Sequence, residues 1–236
     1  MKRLLLLNIF IFLFLGKDIQ AQRDKIINLP NKDKSTWNFA YYLGIMKTDY
    51  FIAYKNSAYP EAKVDVEAGY GFKIGIIGEY RFNKNLSIRL EPGMASSVKN
   101  LYFNNDVLVT KTDSLREVPS TYLHVPLLLK FNANRLDNIR PFVIGGVSYD
   151  YNFSSNQDNP DDNRAGEFRL KKHNFMYELG IGIDFYLSYF KFSPSIVGVF
   201  AMNNELVPDN NDTTSPYTGP IENLSTRGIF LKLVFD

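Results

Sequence analysis

The stretch "GYGFKIGIIGEYRF", Gly69–Phe82, alternates almost without a fault. Its even positions are Tyr70, Phe72, Ile74, Ile76, Gly78, Tyr80 and Phe82. Its odd positions are Gly69, Gly71, Lys73, Gly75, Ile77, Glu79 and Arg81. Successive side chains of a strand point to opposite faces, so this period of two predicts one long strand with a greasy face and a polar, glycine-rich face. Which face meets the surroundings decides between a soluble sheet and one that lives in lipid.

The same pattern recurs along the chain. Strands are predicted at Trp37–Met46, Gly69–Phe82, Leu86–Val98, Thr121–Phe131, Ile139–Phe153, His173–Leu187, Phe190–Met202 and Ser225–Phe235. Their connections alternate strictly in length. Lys47–Ala68, Lys99–Ser120, Ser154–Lys172 and Asn203–Leu224 are long, whereas Asn83–Asn85, "NANRLDN" and Ser188–Tyr189 are short. In an up-and-down sheet all the long connections then emerge at one end, an asymmetry of outer-membrane barrels.

Composition assigns the faces. The polar face carries Gly69, Gly71, Gly75, Gly93, Gly146, Gly180 and Gly182. Glycine weakens a strand on a wet exterior but makes room inside a narrow barrel. The other face carries large aromatic and branched side chains, among them Leu179, Ile181, Ile183, Ile229, Leu231 and Leu233, too bulky for eight strands to enclose together. Set against lipid, that face requires closure, because unpaired sheet edges are intolerable in hydrocarbon. The expected fold is all-β: an eight-stranded antiparallel up-and-down transmembrane β-barrel. Aromatic strand ends such as Trp37, Phe39 and Tyr41, or Tyr149, Tyr151 and Phe153, suit interfacial girdles.

The start of the chain reads as an export signal. Lys2 and Arg3 precede an apolar run, Leu4–Leu15, broken only by Asn8, and small Ala21 stands before Gln22. The organisation expected is a signal peptide over 1–21, a periplasmic segment over 22–36 and a barrel over 37–236. The whole chain has 27 Lys and Arg against 25 Asp and Glu. The leader removes the small basic surplus, which speaks against nucleic acid as a partner. There is no cysteine, hence no thiol chemistry and no disulfide.

Inside the barrel the polar face brings Lys73, Glu79, Arg81, Arg89, Glu91, Lys130, Arg140, Glu178, Asp184, Lys191 and Lys232. One reading is a proton or ion path. The reading adopted is an interdigitated ion-pair plug, since eight strands leave room only for their own side chains and buried charges must be paired. His124 shares the inward face with Tyr122, Pro126 and Lys130, as a hydrogen-bonded interior residue. His173 lies on the lipid face near the end of its strand. With Ser154 or Ser155 as nucleophile it would make a lipid-modifying hydrolase, though no spacing demands that. "DNPDDN", Asp158–Asn163, lacks the spacing and glycine of a calcium loop and reads as solvated. No catalytic residue, metal site or cofactor is expected.

"STYLHVPLLLKF" (Ser120–Phe131) and "DNIRPFVIGGVSY" (Asp137–Tyr149) together resemble the PorT family of outer-membrane barrels. "GFKIGIIGEYRFNKNLSIRLEPG", "FYLSYFKFSPSI" and the terminal "FLKLVFD" are similar to its PorT/SprT branch. The resemblance implies an accessory role in type IX protein secretion, which in gliding bacteria also delivers surface adhesins. It implies outer-membrane lipid and other secretion proteins as partners, and no active site. The segment Gln22–Thr36 and the Asn203–Leu224 loop, too polar and proline-rich to build a core, are expected to serve as binding surfaces. A structural or adhesive barrel without a secretion role is the alternative.

Overall fold

The computed structural model describes residues 26–55, 63–104, 114–210 and 215–236. The proposed signal peptide lies outside them. The described strands are β1 (Trp37–Tyr54), β2 (Lys63–Glu67), β3 (Gly69–Arg81), β4 (Leu86–Leu90), β5 (Gly93–Asn104), β6 (Leu115–Asn132), β7 (Ile139–Asn152), β8 (His173–Tyr186), β9 (Lys191–Ala201) and β10 (Ile221–Phe235). All pairings are antiparallel; β6 to β10 pair in chain order, β3 pairs with both β4 and β5, β2 with β5, β6 with both β4 and β5, and the ring closes because β1 pairs with β10 on one side and β3 on the other. This is an up-and-down barrel fold.

Ten strands stand where eight were expected, for two local reasons. Glu67 pairs with Asn100 and Gly71 with Ser97, so one extra residue is accommodated around Ala68. Such a bulge separates β2 from β3 and swaps which parity faces out. Between β4 and β5 the register against β3 is unbroken. Pro92 has no N–H to give the ladder, yet its carbonyl accepts the Ile76 N–H at 3.0 Å.

The strands also run further than expected at the long-connection end: β1 reaches Tyr54, β5 reaches Asn104, and β6 begins at Leu115. Here the polarity of the two faces inverts. Lys63, Asp65 and Glu67 are exposed, while Val64 and Val66 pack inward on Tyr50, Leu101, Phe103 and Val118. Lower down, Phe39, Tyr41, Leu43, Ile45, Phe72, Ile74, Ile76, Leu179 and Ile181 form an exposed belt around a charged interior.

Both ends are closed by chain. At the long-connection end, Phe168, Leu170, Leu206 and Tyr217 join the apolar cluster inside the rim. The 154–172 and 203–220 segments pair through Lys171 N–H to Glu205 O and Val207 N–H to Arg169 O. The expectation that the second of these could build no core is overturned: Leu206 and Tyr217 are buried in the cluster, while Asn210 donates to the Pro160 carbonyl and Ser215 to the Asp209 carboxylate. The solvated reading of Asp158–Asn163 holds for exposed Asp158, Pro160 and Asp161 and is corrected at the end of the stretch. Asp162 caps a short 3-10 turn and Asn163 is buried, donating from Nδ2 to Asp209 Oδ1 at 3.1 Å. At the short-turn end, residues 28–35 lie against the barrel rim.

Candidate functional site: the filled interior

Room for large side chains comes from glycine. Gly75 and Gly93 face each other across β3 and β5, and a Cβ on Gly93 would stand 2.2 Å from the Tyr42 hydroxyl. The phenol of Tyr42 therefore crosses the lumen over two bare backbones and donates to the Glu91 carbonyl at 3.2 Å.

All eleven charged residues expected inside the barrel are buried. Arg89 Nε donates to Glu79 at 2.7 Å, and its Nη1 reaches Glu91 at 3.4 Å. Glu91 receives Lys232 at 2.5 Å, and Arg81 lies 3.6 Å from Glu79. Lys130 donates to both oxygens of Asp184, at 2.7 and 3.0 Å. Glu178 lies 2.8 Å from His124 Nε2, whose Nδ1 is 2.6 Å from Asp150. Lys73 has no carboxylate within ion-pair distance among the described residues. Its ammonium lies 4.6 Å over the Phe230 ring and 5.6 Å over Tyr42.

The residues named from sequence comprise seven bases and four acids, a surplus that calls for further partners. Three more carboxylates offset part of it, meeting Lys191, His124 and Arg140 and leaving Lys73 to its aromatic rings. Asp236 binds Lys191 at 2.5 Å. Asp150 binds His124. Asp33, on the N-terminal segment, meets Arg140 at 3.2 Å, Arg135 at 3.4 Å and the Tyr186 hydroxyl at 2.7 Å. Parity points Asp150 inward with Arg140, and Asp236 inward beside Phe235, so both were readable. Asp33 lies outside every strand and was not.

Arg81 fixes that segment further, donating from Nη1 to the carbonyls of Asp33 (2.6 Å) and Ser35 (3.1 Å). Arg135 donates to Asn28, and the Asn28 side chain donates to the Tyr186 carbonyl at 2.9 Å. Midway up, Met46, Leu128, Phe142, Ile144, Met176 and Val199 add an apolar layer. A cavity of about 20 Å³ between this layer, Lys99 and His124 has room for about one water.

Near the long-connection end, Glu205 is buried under the cap and accepts the Thr226 N–H at 2.9 Å and hydroxyl at 2.8 Å. Burial pushes its carboxyl above the usual carboxylate range, with nearby Lys99 opposing the shift.

The hydrolase constellation is not assembled. His173 is exposed and shares a 2.7 Å hydrogen bond through Nδ1 with the Tyr149 hydroxyl. It packs against the Tyr149 and Tyr151 rings, within the aromatic fringe of β7 and β8. Ser155 donates its hydroxyl to the Leu170 carbonyl, and Ser154 Oγ accepts the Thr121 N–H. Among the described residues no group of His, Asp and Glu is arranged to hold a metal ion.

The sequence pattern of a family described as "Outer membrane protein beta-barrel domain" matches residues 20–207. Similar solved structures include OprG from Pseudomonas aeruginosa, at 14% identity and a TM-score of 0.46, over 84% of this chain and 91% of that one. Neisserial surface protein A matches at 7% identity and a TM-score of 0.44, over 85% and 98%. Ail of Yersinia pestis, in complex with the heparin analogue sucrose octasulfate, matches at 12% identity and a TM-score of 0.41, over 85% and 99%. No curated protein matches the chain.

Proposed function

Because the chain belongs to the outer-membrane β-barrel domain family, we propose that it is an accessory component of type IX protein secretion that acts by binding other proteins and not as a pore. In this reading β2–β3 and β4–β5 each make one crossing, giving eight crossings. The short-turn end and both termini face the periplasm of a Gram-negative bacterium. The observation that carries the proposal is the filled lumen: ion pairs, an apolar layer and a closing segment at each end leave the barrel nothing to conduct. What remains for partners is the surface of its ends, where the docked segment exposes Ile26 and Ile27.

The secretion role itself rests on the resemblance of Ser120–Phe131, Asp137–Tyr149 and the terminal strand to the PorT/SprT branch. Deletion of the gene, followed by proteomics of the secreted fraction, tests it. Selective loss of cargo bearing C-terminal secretion signals, with other outer-membrane barrels unchanged, is the expected result. Normal cargo with altered surface attachment would favour the structural or adhesive alternative, for which the hydrogen-bonded cap at the long-connection end offers a surface. His173→Ala should leave secretion intact; its loss would move the account toward a lipid-modifying enzyme.

A further inference from the structure

Below the level of exposed Glu67 and Glu117, the described outward strand positions are uncharged but for one cluster. On β1 and β10, Lys47, Asp49 and Arg227 stand on the outward face, directly above apolar positions. Cross-strand register sets Asp49 opposite Arg227, Lys47 opposite both Ile229 and Tyr70, and Ile45 opposite both Leu231 and Phe72. Beneath the charges runs an outward groove of about 740 Å³, with Ile45, Ile229 and Leu231 along it and Tyr70 and Phe200 at its sides.

The charges are held as a receiver for an anion. Asp49 accepts from Arg227 Nη2 at 2.9 Å and Nε at 3.3 Å, which orients the guanidinium and leaves three of its five N–H groups for another acceptor. Asp49 neutralises one cation only. Lys47 has no carboxylate within ion-pair distance among the described residues; its ammonium lies 5.6 Å over the Tyr70 ring. Height also fits. Lys47 is ten residues above Trp37; at a rise of about 3.3 Å per residue and a tilt of about 40° this spans about 25 Å, the height of a barrel's apolar band. The cluster thus stands at headgroup level, with the groove descending into the acyl region.

We propose that Lys47 and Arg227 form a binding site for the phosphate of an anionic membrane lipid, one acyl chain of which lies along the Ile45–Ile229–Leu231 groove. Charge complementarity selects the occupant: two cations sharing one carboxylate at the head of an apolar groove match a phosphate better than a zwitterionic headgroup or a second apolar protein surface. The inference rests on the barrel's residence in a bilayer.

The test uses native mass spectrometry of the purified full chain in a nonionic detergent, with phosphatidylglycerol and phosphatidylcholine of equal chain length at equal mole fraction. The wild type should retain phosphatidylglycerol over phosphatidylcholine by about tenfold. The double variant Lys47→Gln/Arg227→Gln should lose that preference, while Lys47→Arg/Arg227→Lys and the off-groove control Lys63→Gln should keep it. Inorganic phosphate at the same concentration should not displace the lipid. Equal retention of both lipids by the wild type, an unchanged preference in the double Gln variant, or displacement by inorganic phosphate would each overturn the site and leave the membrane reading standing. A wild-type chain that retains neither lipid would overturn both.

Discussion

At the scale of single residues, Asp33 joins an irregular segment to the charged interior of the barrel. It gathers Arg135, Arg140 and Tyr186, and with Arg81 it ties the N-terminal segment to the short-turn rim. Asp33→Asn keeps the shape and removes the charge. It should lower unfolding stability in urea by about 1–3 kcal/mol and raise amide exchange selectively over 28–35. Unchanged exchange there would mean that the arginines hold the segment through its carbonyls alone. The residue also marks a limit of sequence reading. Periodicity gave eleven interior charges, and Asp150 and Asp236 were available from the same parity, whereas buried Lys99 and Arg116 lie on strand extensions that read as a connection. A side chain delivered into the lumen by an irregular segment leaves no periodic trace, and only the unbalanced surplus of bases hinted that it must exist.

At the scale of elements, the outward rows and the cap obey different rules. Leu179 lies mid-belt on β8, 61% exposed on the outward side. Leu179→Arg should cost about 2–4 kcal/mol in a bilayer, measured by reversible unfolding from lipid vesicles; a neutral effect would place that row in water. The cap carries a pH dependence. Because burial raises the Glu205 carboxyl, the folded cap binds its proton more tightly than the unfolded chain does. Stability from this group is therefore greatest in acid and declines as pH rises from the usual carboxylate range through the raised value. Amide exchange of Leu206 and Thr226 should accelerate across that interval, and Glu205→Gln should flatten the response. The belt was legible in sequence because lipid favours apolar residues along the outward rows. Above it the rule reverses, so "KVDVE" (Lys63–Glu67) with its inward valines reads as loop, and the bulge at Ala68 hides the continuity with β3. The cap was illegible for a related reason. A few apolar side chains, Leu206 and Tyr217 among them, are enough to close a mouth this narrow, and between polar neighbours they show no pattern.

At the scale of the whole molecule, three layers of closure follow one another along the axis: the Asp33 knot, the paired charges crossed by Tyr42 and an apolar layer, and the cap of Phe168, Leu170, Leu206 and Tyr217. Buried ion pairs contribute little net stability after desolvation, so their use here is to fill the lumen with side chains that fit one register only. A barrel built in this way has its ends, its rim and its lipid-facing flank to work with, which is why the account assigns it to binding. Purified wild-type protein inserted into a planar bilayer under an applied voltage tests this most directly. Insertion with no stable open conductance is the expected result. Sustained, large single-channel steps from the unmodified chain would contradict it.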